Sequence, residues 1–413
     1  MTTATDRFVR EHKTVIITGN QAAAEASRLA RVGVVCFFPI GPSDEVGEHL
    51  VRMVNRGQLD AKIIDLENER SVVNAQITAT QCGVRASFST NSEGLVFAYQ
   101  PLFWSAYARV PIVVTVAHRA MEPPTIIVPD DHDTIIYRDT HWLQFYCENP
   151  QEVFDTVLQA YWVAERHDVM LPAFVTWPGW EVSHSTAPVE MPSQEAVDAF
   201  LPPYQLLPGQ DLLTTDLAEI YGNRPAGGAG DEPRYMEGRY QIDRALNVNA
   251  KNAIEEAHRE YLRVFGRGYG GLVETYRAED ADIVLVAMEN IATVAREAAD
   301  QMRARGFRVG VLKVRVLRPF PTEAVRQAAG GARVVMTLDR NPVELLYHEL
   351  RSALYDEPDR PLMLGRTVAL GGRDFTVRDC NELVEEAAVA ISAPDAVPVT
   401  SWRFKVAKEE DDR

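Results

Sequence analysis

At 413 residues the chain is longer than one ordinary hydrophobic core, so two domains are expected. Its 46% apolar and 24% charged content is that of a globular protein in water. A formal charge of −17 argues against nucleic acid or an anionic membrane surface as partner, because both require a basic face.

Thr14 to Thr18 is expected to form a short β-branched strand, turning at Gly19-Asn20 into an alanine-rich helix over Gln21 to Arg31. A buried strand over Val34 to Phe38 ends in Phe38-Pro39-Ile40-Gly41-Pro42-Ser43, a stiff loop with no side chain at Gly41. Ser43-Asp44-Glu45 is read as the cap of a helix running to about Asn55. Ala61 to Leu66 reads as a further buried strand and Ser71 to Ala79 as its helix. A strand over Arg85 to Ser89 ends in Thr90-Asn91-Ser92-Glu93-Gly94, ahead of one aromatic-rich helix over Leu95 to Ala108. Pro111 to Ala117 is a strand leading into His118-Arg119-Ala120. An amphipathic helix over Gln151 to Arg166 and a strand over Leu171 to Trp177 close the series. Strands alternating with helices of this length predict a doubly wound parallel α/β sheet.

The stretch from Tyr204 to about Tyr269 differs, with Pro225-Ala226-Gly227-Gly228-Ala229-Gly230-Asp231 lacking core-forming residues. One long helix is expected over Ala245 to Phe265. Strands over Ala281 to Ala287, Arg308 to Val316 and Ala332 to Leu338, with a helix over Ile291 to Arg305, predict a second, smaller α/β domain. The expected division is residues 1–270 and 271–413, with Glu409 to Arg413 a frayed tail.

The four cysteines, Cys36, Cys82, Cys147 and Cys380, are far apart and never form Cys-x-x-Cys, so neither a zinc nor an iron–sulfur motif is present. So few thiols point to a reducing compartment. Met1 to Lys13 carries no secretory pattern, and no apolar run approaches ~18 residues, so the expected setting is cytoplasmic.

The chemistry-bearing residues cluster at strand ends. In Asp65-Leu66-Glu67-Asn68-Glu69 the acids fall where strand gives way to helix, at the floor or rim of the crevice that parallel sheets offer to ligands. The bland alternative is a helix-start charge favoured by the macrodipole. Asp130, Asp131, His132 and Asp133 have metal-ligand chemistry but no second cluster to complete a site, and are expected in an exposed or interface loop. His118 reads equally as a structural or a functional histidine. Ser183-His184 lacks the Gly-x-Ser-x-Gly elbow of a hydrolase and is set aside as a nucleophile pair.

Taken together, the 38–43 loop, the Glu69 turn, Thr90-Asn91-Ser92-Glu93-Gly94-Leu95 and Ala117-His118-Arg119 form an ordered set. With Asp130 to Asp133, Arg138-Asp139-Thr140, Pro178-Gly179-Trp180 and Phe200-Leu201-Pro202-Pro203-Tyr204, it resembles the α subunit of the 2-oxoacid:ferredoxin oxidoreductases, the pyruvate:ferredoxin oxidoreductase superfamily. The likeness continues more weakly through Arg315 to Phe320, Asp339-Arg340-Asn341 and Gly371-Gly372-Arg373-Asp374. It implies a thiamine-diphosphate pyrimidine-type domain followed by a transketolase C-terminal-like domain. It also implies oxidative decarboxylation of a 2-oxoacid to its acyl-CoA, with coenzyme A as acceptor.

The resemblance further implies a divided site. A β subunit would hold the diphosphate and its magnesium, while iron–sulfur clusters would sit on partners: a γ subunit, a ferredoxin-like subunit and, in some assemblies, a flavin or NAD subunit. No Walker-type loop occurs here, and Gly209-Gln210-Asp211 and Gly230-Asp231 fall in the linker. On this reading Glu69 is the catalytic carboxyl facing the aminopyrimidine, with Pro39, Ile40 and Ser92 beside the cofactor. Arg119 would grip the substrate carboxylate, for which a guanidinium is suited, and Gly41 would border the substrate.

Gly41 stands where pyruvate-type enzymes carry threonine, and Pro178 where aspartate is common. With Trp177 and Trp180 alongside, these departures suggest a larger, aromatic 2-oxoacid of phenylglyoxylate type, with pyruvate or another small 2-oxoacid as the alternative. A non-oxidative thiamine transferase and a non-catalytic structural subunit remain as further readings.

Overall fold

The computed structural model describes residues 12–121, 124, 126–207 and 232–403. The glycine-rich linker loop, Gly209 to Asp211 and the terminal tail lie outside them.

The main sheet has seven strands in the order β12-β6-β7-β5-β4-β2-β3. Its chain order is β2 (Val34–Phe37), β3 (Lys62–Asp65), β4 (Ala86–Thr90), β5 (Val113–His118), β6 (Leu143–Tyr146), β7 (Ala173–Pro178) and β12 (Val316–Arg318). All pairs are parallel except β12 with β6. The central strands β4, β5 and β7 are buried throughout, as continuous apolar runs between two helical layers require. The helices are α1 (Gly19–Leu29), α2 (Asp44–Asn55), α3 (Glu69–Gln81), α4 (Ser92–Phe97), α5 (Tyr99–Tyr107), α6 (His132–Ile135), α7 (Pro150–Ala164) and α8 (Gln194–Phe200). Ala22, Ala23 and Ala26 are fully buried, so α1 packs closely on its neighbours.

Several expectations are corrected. The first strand, β1 (His12–Thr18), does not join the main sheet; it pairs antiparallel with β8 (Thr186–Pro192) in a separate two-stranded ribbon. Its exposure decides this, since Ile16 is 64% exposed and a buried parallel strand could not tolerate that. β3 is an edge strand with Lys62 and Asp65 in solvent, not a buried one. The aromatic helix is two helices meeting at Ala98, because the Pro101 ring cannot follow the carbonyl of Phe97 in an unbroken helix. β6 escaped notice because it is only four residues long and carries buried Gln144.

The helix expected over Ala245 to Phe265 begins earlier. α9 (Glu232–Arg244) runs through a π-helical turn at Ala245–Ala250 into α10 (Lys251–Phe265). The second sheet has the order β15-β14-β13-β10-β11-β9. It comprises β9 (Val273–Tyr276), β10 (Ile283–Ala287), β11 (Val309–Val314), β13 (Val334–Asp339), β14 (Leu362–Thr367) and β15 (Thr400–Trp402). Its helices are α11 (Ile291–Ala304), α12 (Thr322–Ala329), α13 (Leu345–Leu354) and α14 (Val377–Ser392). The strand expected over Arg308 to Val316 breaks after Val314, and β12 crosses to pair Val316 with Phe145 of the first sheet. Beside this crossing Lys313 and Arg315 are buried on Glu152, at 2.6 and 3.2 Å. Among the described residues no helix is long and apolar enough to cross a membrane.

Candidate active site

From β2 the chain moves outward to β3, then returns to β4 on the other side of β2 and continues to β5. The order therefore reverses between β2 and β4, and open α/β sheets bind ligands outside the carboxyl ends of strands at such a reversal. The 38–43 loop, the 91–94 turn and the start of α3 all meet there.

Glu69 opens α3, and the Asn68 side chain caps that helix by accepting from Ser71 N at 2.9 Å. Only 6% of Glu69 is exposed. Burial lifts its carboxyl above the usual range; its own backbone amide opposes this and the Glu93 charge adds to it. Gly94 makes the room, since a Cβ there would stand 2.7 Å from Glu69 Oε1. Glu67 is the solvated partner: it accepts from Ser71 Oγ at 2.6 Å and from Asn68 at 3.0 Å, and the Ser71 bond leads in holding its carboxyl low.

Ser43 does not cap α2. Its buried hydroxyl donates to Thr90 O at 2.9 Å and accepts from Ala117 N at 3.0 Å and Asn91 Nδ2 at 2.9 Å. One side chain thus ties together the ends of β4 and β5 and the loop after β2. Asn20 anchors the same loop through Pro42 O at 2.7 Å and is itself fixed by Trp177 at 3.2 Å. In this loop Pro39 is exposed, Ile40 half-buried, and Gly41 open; a Cβ at Gly41 would approach nothing nearer than the Asp44 carboxylate, at 3.9 Å.

Arg119 reaches this loop, donating to Gly41 O at 2.7 Å and to the Glu93 carboxylate. Burial alone would raise the Glu93 carboxyl, but its own amide, Ser92 and Arg119 outweigh that and hold it low. Glu93 therefore stands between Glu69 and Arg119 electrostatically. No local signal in the 90–94 turn marks that role, because Arg119 is 26 residues away in the chain. Ser92 has φ +42°, and its hydroxyl donates to Ala120 O at 2.9 Å, so it holds the turn against the strand following β5.

The acidic loop at 130–133 is not exposed: Asp131 and Asp133 are 2% and 0% accessible. Asp133 accepts Ser92 N at 3.1 Å, Arg119 N at 3.2 Å and His118 Nδ1 at 2.5 Å. The other ring nitrogen of His118 lies 3.2 Å from Glu289 Oε1, beyond the end of β10. Burial opposes charge on His118, but Asp133 and Glu289 prevail and raise its pKa well above the usual value. Arg340 follows β13 and bridges to Glu181 at 3.0 Å and Asn290 at 2.8 Å. The Asp339-Arg340-Asn341 motif was a signal for Arg340; nothing local marked Glu289.

Trp177 is core, bonded to Asn20, and Trp180 is 50% exposed with its ring tilted against His184 at 4.7 Å. A half-exposed indole does not make an enclosed aromatic pocket in this chain. Ser183 accepts Trp180 N at 2.7 Å and meets His184 Nδ1 at 2.6 Å, which shapes the turn.

Both halves of the chain have known relatives. Residues 25–256 match the family model for the thiamine-diphosphate-binding region of pyruvate flavodoxin/ferredoxin oxidoreductase. Residues 281–380 match core domain II of pyruvate:ferredoxin oxidoreductase. The chain is 40% identical to the pyruvate synthase subunit PorA of Methanothermobacter thermautotrophicus, over 89% of this chain and 94% of that one. It is 39% identical to the ketoisovalerate oxidoreductase subunit VorA of Pyrococcus horikoshii, over 94% and 97%.

Among solved structures, 2-oxoglutarate:ferredoxin oxidoreductase from Magnetococcus marinus superposes with a TM-score of 0.69 at 15% identity, covering 91% of this chain and 65% of that chain. A split-gene transketolase superposes at 0.54 and 14% identity, covering 90% and 99%, which speaks to the fold alone. With family models over both sheets and relatives near 40% identity along most of its length, the chain belongs to the 2-oxoacid:ferredoxin oxidoreductase family, as an α subunit.

Proposed function

We propose that this subunit supplies the pyrimidine side of a thiamine-diphosphate site shared with a β subunit, in a complex that oxidatively decarboxylates a small aliphatic 2-oxoacid, pyruvate first, to its acyl-CoA. The observation that carries this reading is Glu69: a buried carboxyl with raised pKa, at the sheet's reversal point, above a glycine that leaves room beside it. A carboxyl that holds its proton more tightly than usual can share it with a ring nitrogen, and a buried one is shielded from competing water. Bound, thiamine diphosphate supplies the electron sink that lets a 2-oxoacid lose carbon dioxide. Glu69 and the half-buried Ile40, with Pro39 and the Ser92 turn, are the residues this chain offers to that ring. The diphosphate, its magnesium, the iron–sulfur clusters and any γ, ferredoxin-like, flavin or NAD subunit belong, on this proposal, to other chains of a cytoplasmic assembly. The division into residues 1–270 and 271–413 is kept, with β12 lent back to the first sheet.

Arg119 is the group for the substrate carboxylate, and in this structure Glu93 shares it. The incoming carboxylate joins or displaces that partner, so substrate and Glu93 compete for one guanidinium. The aliphatic reading is preferred to the aromatic one, and of the two tryptophans behind the latter Trp177 is core and bonded to Asn20. The relatives act, by their names, on pyruvate and ketoisovalerate. The test is turnover by the co-purified complex with thiamine diphosphate, coenzyme A and either pyruvate, 2-oxoisovalerate or phenylglyoxylate. Preferred use of an aliphatic acid is expected. Preference for phenylglyoxylate would restore the aromatic reading, and thiamine-independent turnover would remove the cofactor assignment.

A further inference from the structure

The buried cluster behind Arg119 has a composition that neither the fold nor the proposed reaction requires. His118 is held by Asp133, whose carboxylate already accepts two backbone amides and therefore takes the Nδ1 proton of the ring. That bond fixes the tautomer and aims Nε2 at Glu289 and Asp131. The imidazole plane is set as well, stacked on Tyr146 at 5.5 Å. One atom each from His118, Asp131 and Glu289 lies within 4.8 Å of the other two, and all three residues are buried. Glu289, 1% exposed, makes no hydrogen bond through either carboxylate oxygen among the described residues. Asp131 Oδ1 and His118 Nε2 are likewise without one. Buried polar atoms without hydrogen bonds are costly, and here two carboxylates and one imidazole converge, with Glu289 held by ion-pair contacts to His118 Nε2 at 3.2 Å and Arg340 at 3.7 Å.

We propose that His118 Nε2, Asp131 and Glu289 form a binding site for one first-row divalent cation, clamping the end of β5 to the end of β10. The donor set of one imidazole and two carboxylates suits zinc, manganese or ferrous iron. Asp133 completes the carboxylate–histidine–metal arrangement by which proteins orient a ligating ring. Arg340 NH1 stands 3.7 Å from Glu289 Oε2, on the oxygen away from the histidine, and leaves Oε1 for the ion. Charge agrees: with the ring neutral, as a metal ligand must be, Asp131, Asp133 and Glu289 face one guanidinium, and a dication takes the place of the proton that His118 Nε2 otherwise presents to Glu289. Glu289 itself takes a left-handed backbone, φ +51°, which a β-bearing residue adopts only where its surroundings demand it. Because Arg119 follows His118 directly, an ion there would also stiffen the strand end that carries the proposed substrate-binding guanidinium.

The full-length chain, stripped with chelator and returned to Zn²⁺ or Co²⁺, tests this without reference to turnover. After exchange into metal-free buffer it should keep about one equivalent, show a visible cobalt absorption that zinc abolishes, and melt at a higher temperature than the stripped form. The near-isosteric variants Glu289→Gln and Asp131→Asn should each weaken retention by about 10–100-fold. The melting temperature of each stripped variant, compared with that of the stripped wild type, reports whether it folds. Should folded wild-type chain retain neither ion, the doubly protonated His118 ring bridges Asp133 through Nδ1 and Glu289 through Nε2, and the proposal is wrong. Equal retention by wild type and both folded variants would place the ion elsewhere and overturn it as well. His118→Asn serves as a third variant, and its failure to fold leaves the two carboxylate variants to decide.

Discussion

At the scale of single residues, burial sets Glu69 apart from Glu67. Two positions apart, one is buried under a helix start and the other is hydrogen-bonded in solvent, and their proton affinities move in opposite directions. Glu69→Ala in the assembled complex is expected to lower turnover by about 10²–10⁴-fold, measured with saturating thiamine diphosphate. Glu69→Gln carries a second signature in stability. The folded state holds the Glu69 proton more tightly than the unfolded chain, so wild-type stability falls as pH rises through the unfolded value toward the folded one. The glutamine variant lacks that loss and should melt higher than wild type at neutral pH, with the gain vanishing below about pH 4. Glu93 contributes to the same shift. Glu93→Gln should move the limb at which Glu69 loses its proton to lower pH in the kcat/KM profile, and an unmoved limb would exclude the coupling.

At the scale of elements, the site is a meeting of strand ends. Ser43 joins three of them with one hydroxyl, and Ser43→Ala leaves a buried carbonyl, amide and asparagine donor short of a partner. A loss of about 1–3 kcal/mol in denaturant unfolding is expected. Gly94 at the start of α4 is constrained from the other side. Gly94→Ala drives a methyl into the Glu69 carboxyl, and a displacement of that size should cost turnover about 10²-fold in a complex that still assembles. The elements around these points were legible from alternation of apolar strands and helices. Where the reading failed, a local rule gave way to position in the sheet: β3 is apolar yet lies at an edge, and β1 is β-branched yet pairs in a solvated ribbon.

Across the whole molecule, the two sheets are joined by a chain crossing and a buried ionic knot. β12 leaves the second unit to complete the first sheet, and Glu152, fully buried, receives both Lys313 and Arg315. Glu152→Ala would leave two cations buried without their common partner, at a cost of about 3–5 kcal/mol, to be read as a lowered melting temperature. If that variant melts like wild type, water or Glu148, 3.2 Å from Lys313, has taken over the charge.

The sequence by itself determined the fold class and the family likeness, and it singled out Glu69 as the acid to propose. Each of these is written in short-range patterns: apolar periodicity, turn residues, and motifs whose members lie within a few positions of one another. Only the tertiary structure decided that Glu93 holds Arg119, that Asp131 and Asp133 are buried rather than exposed, and that Glu289 meets His118. Those pairings join strand ends remote in the chain, where no spacing rule reaches, because the sheet order and the crossing of β12 bring them together.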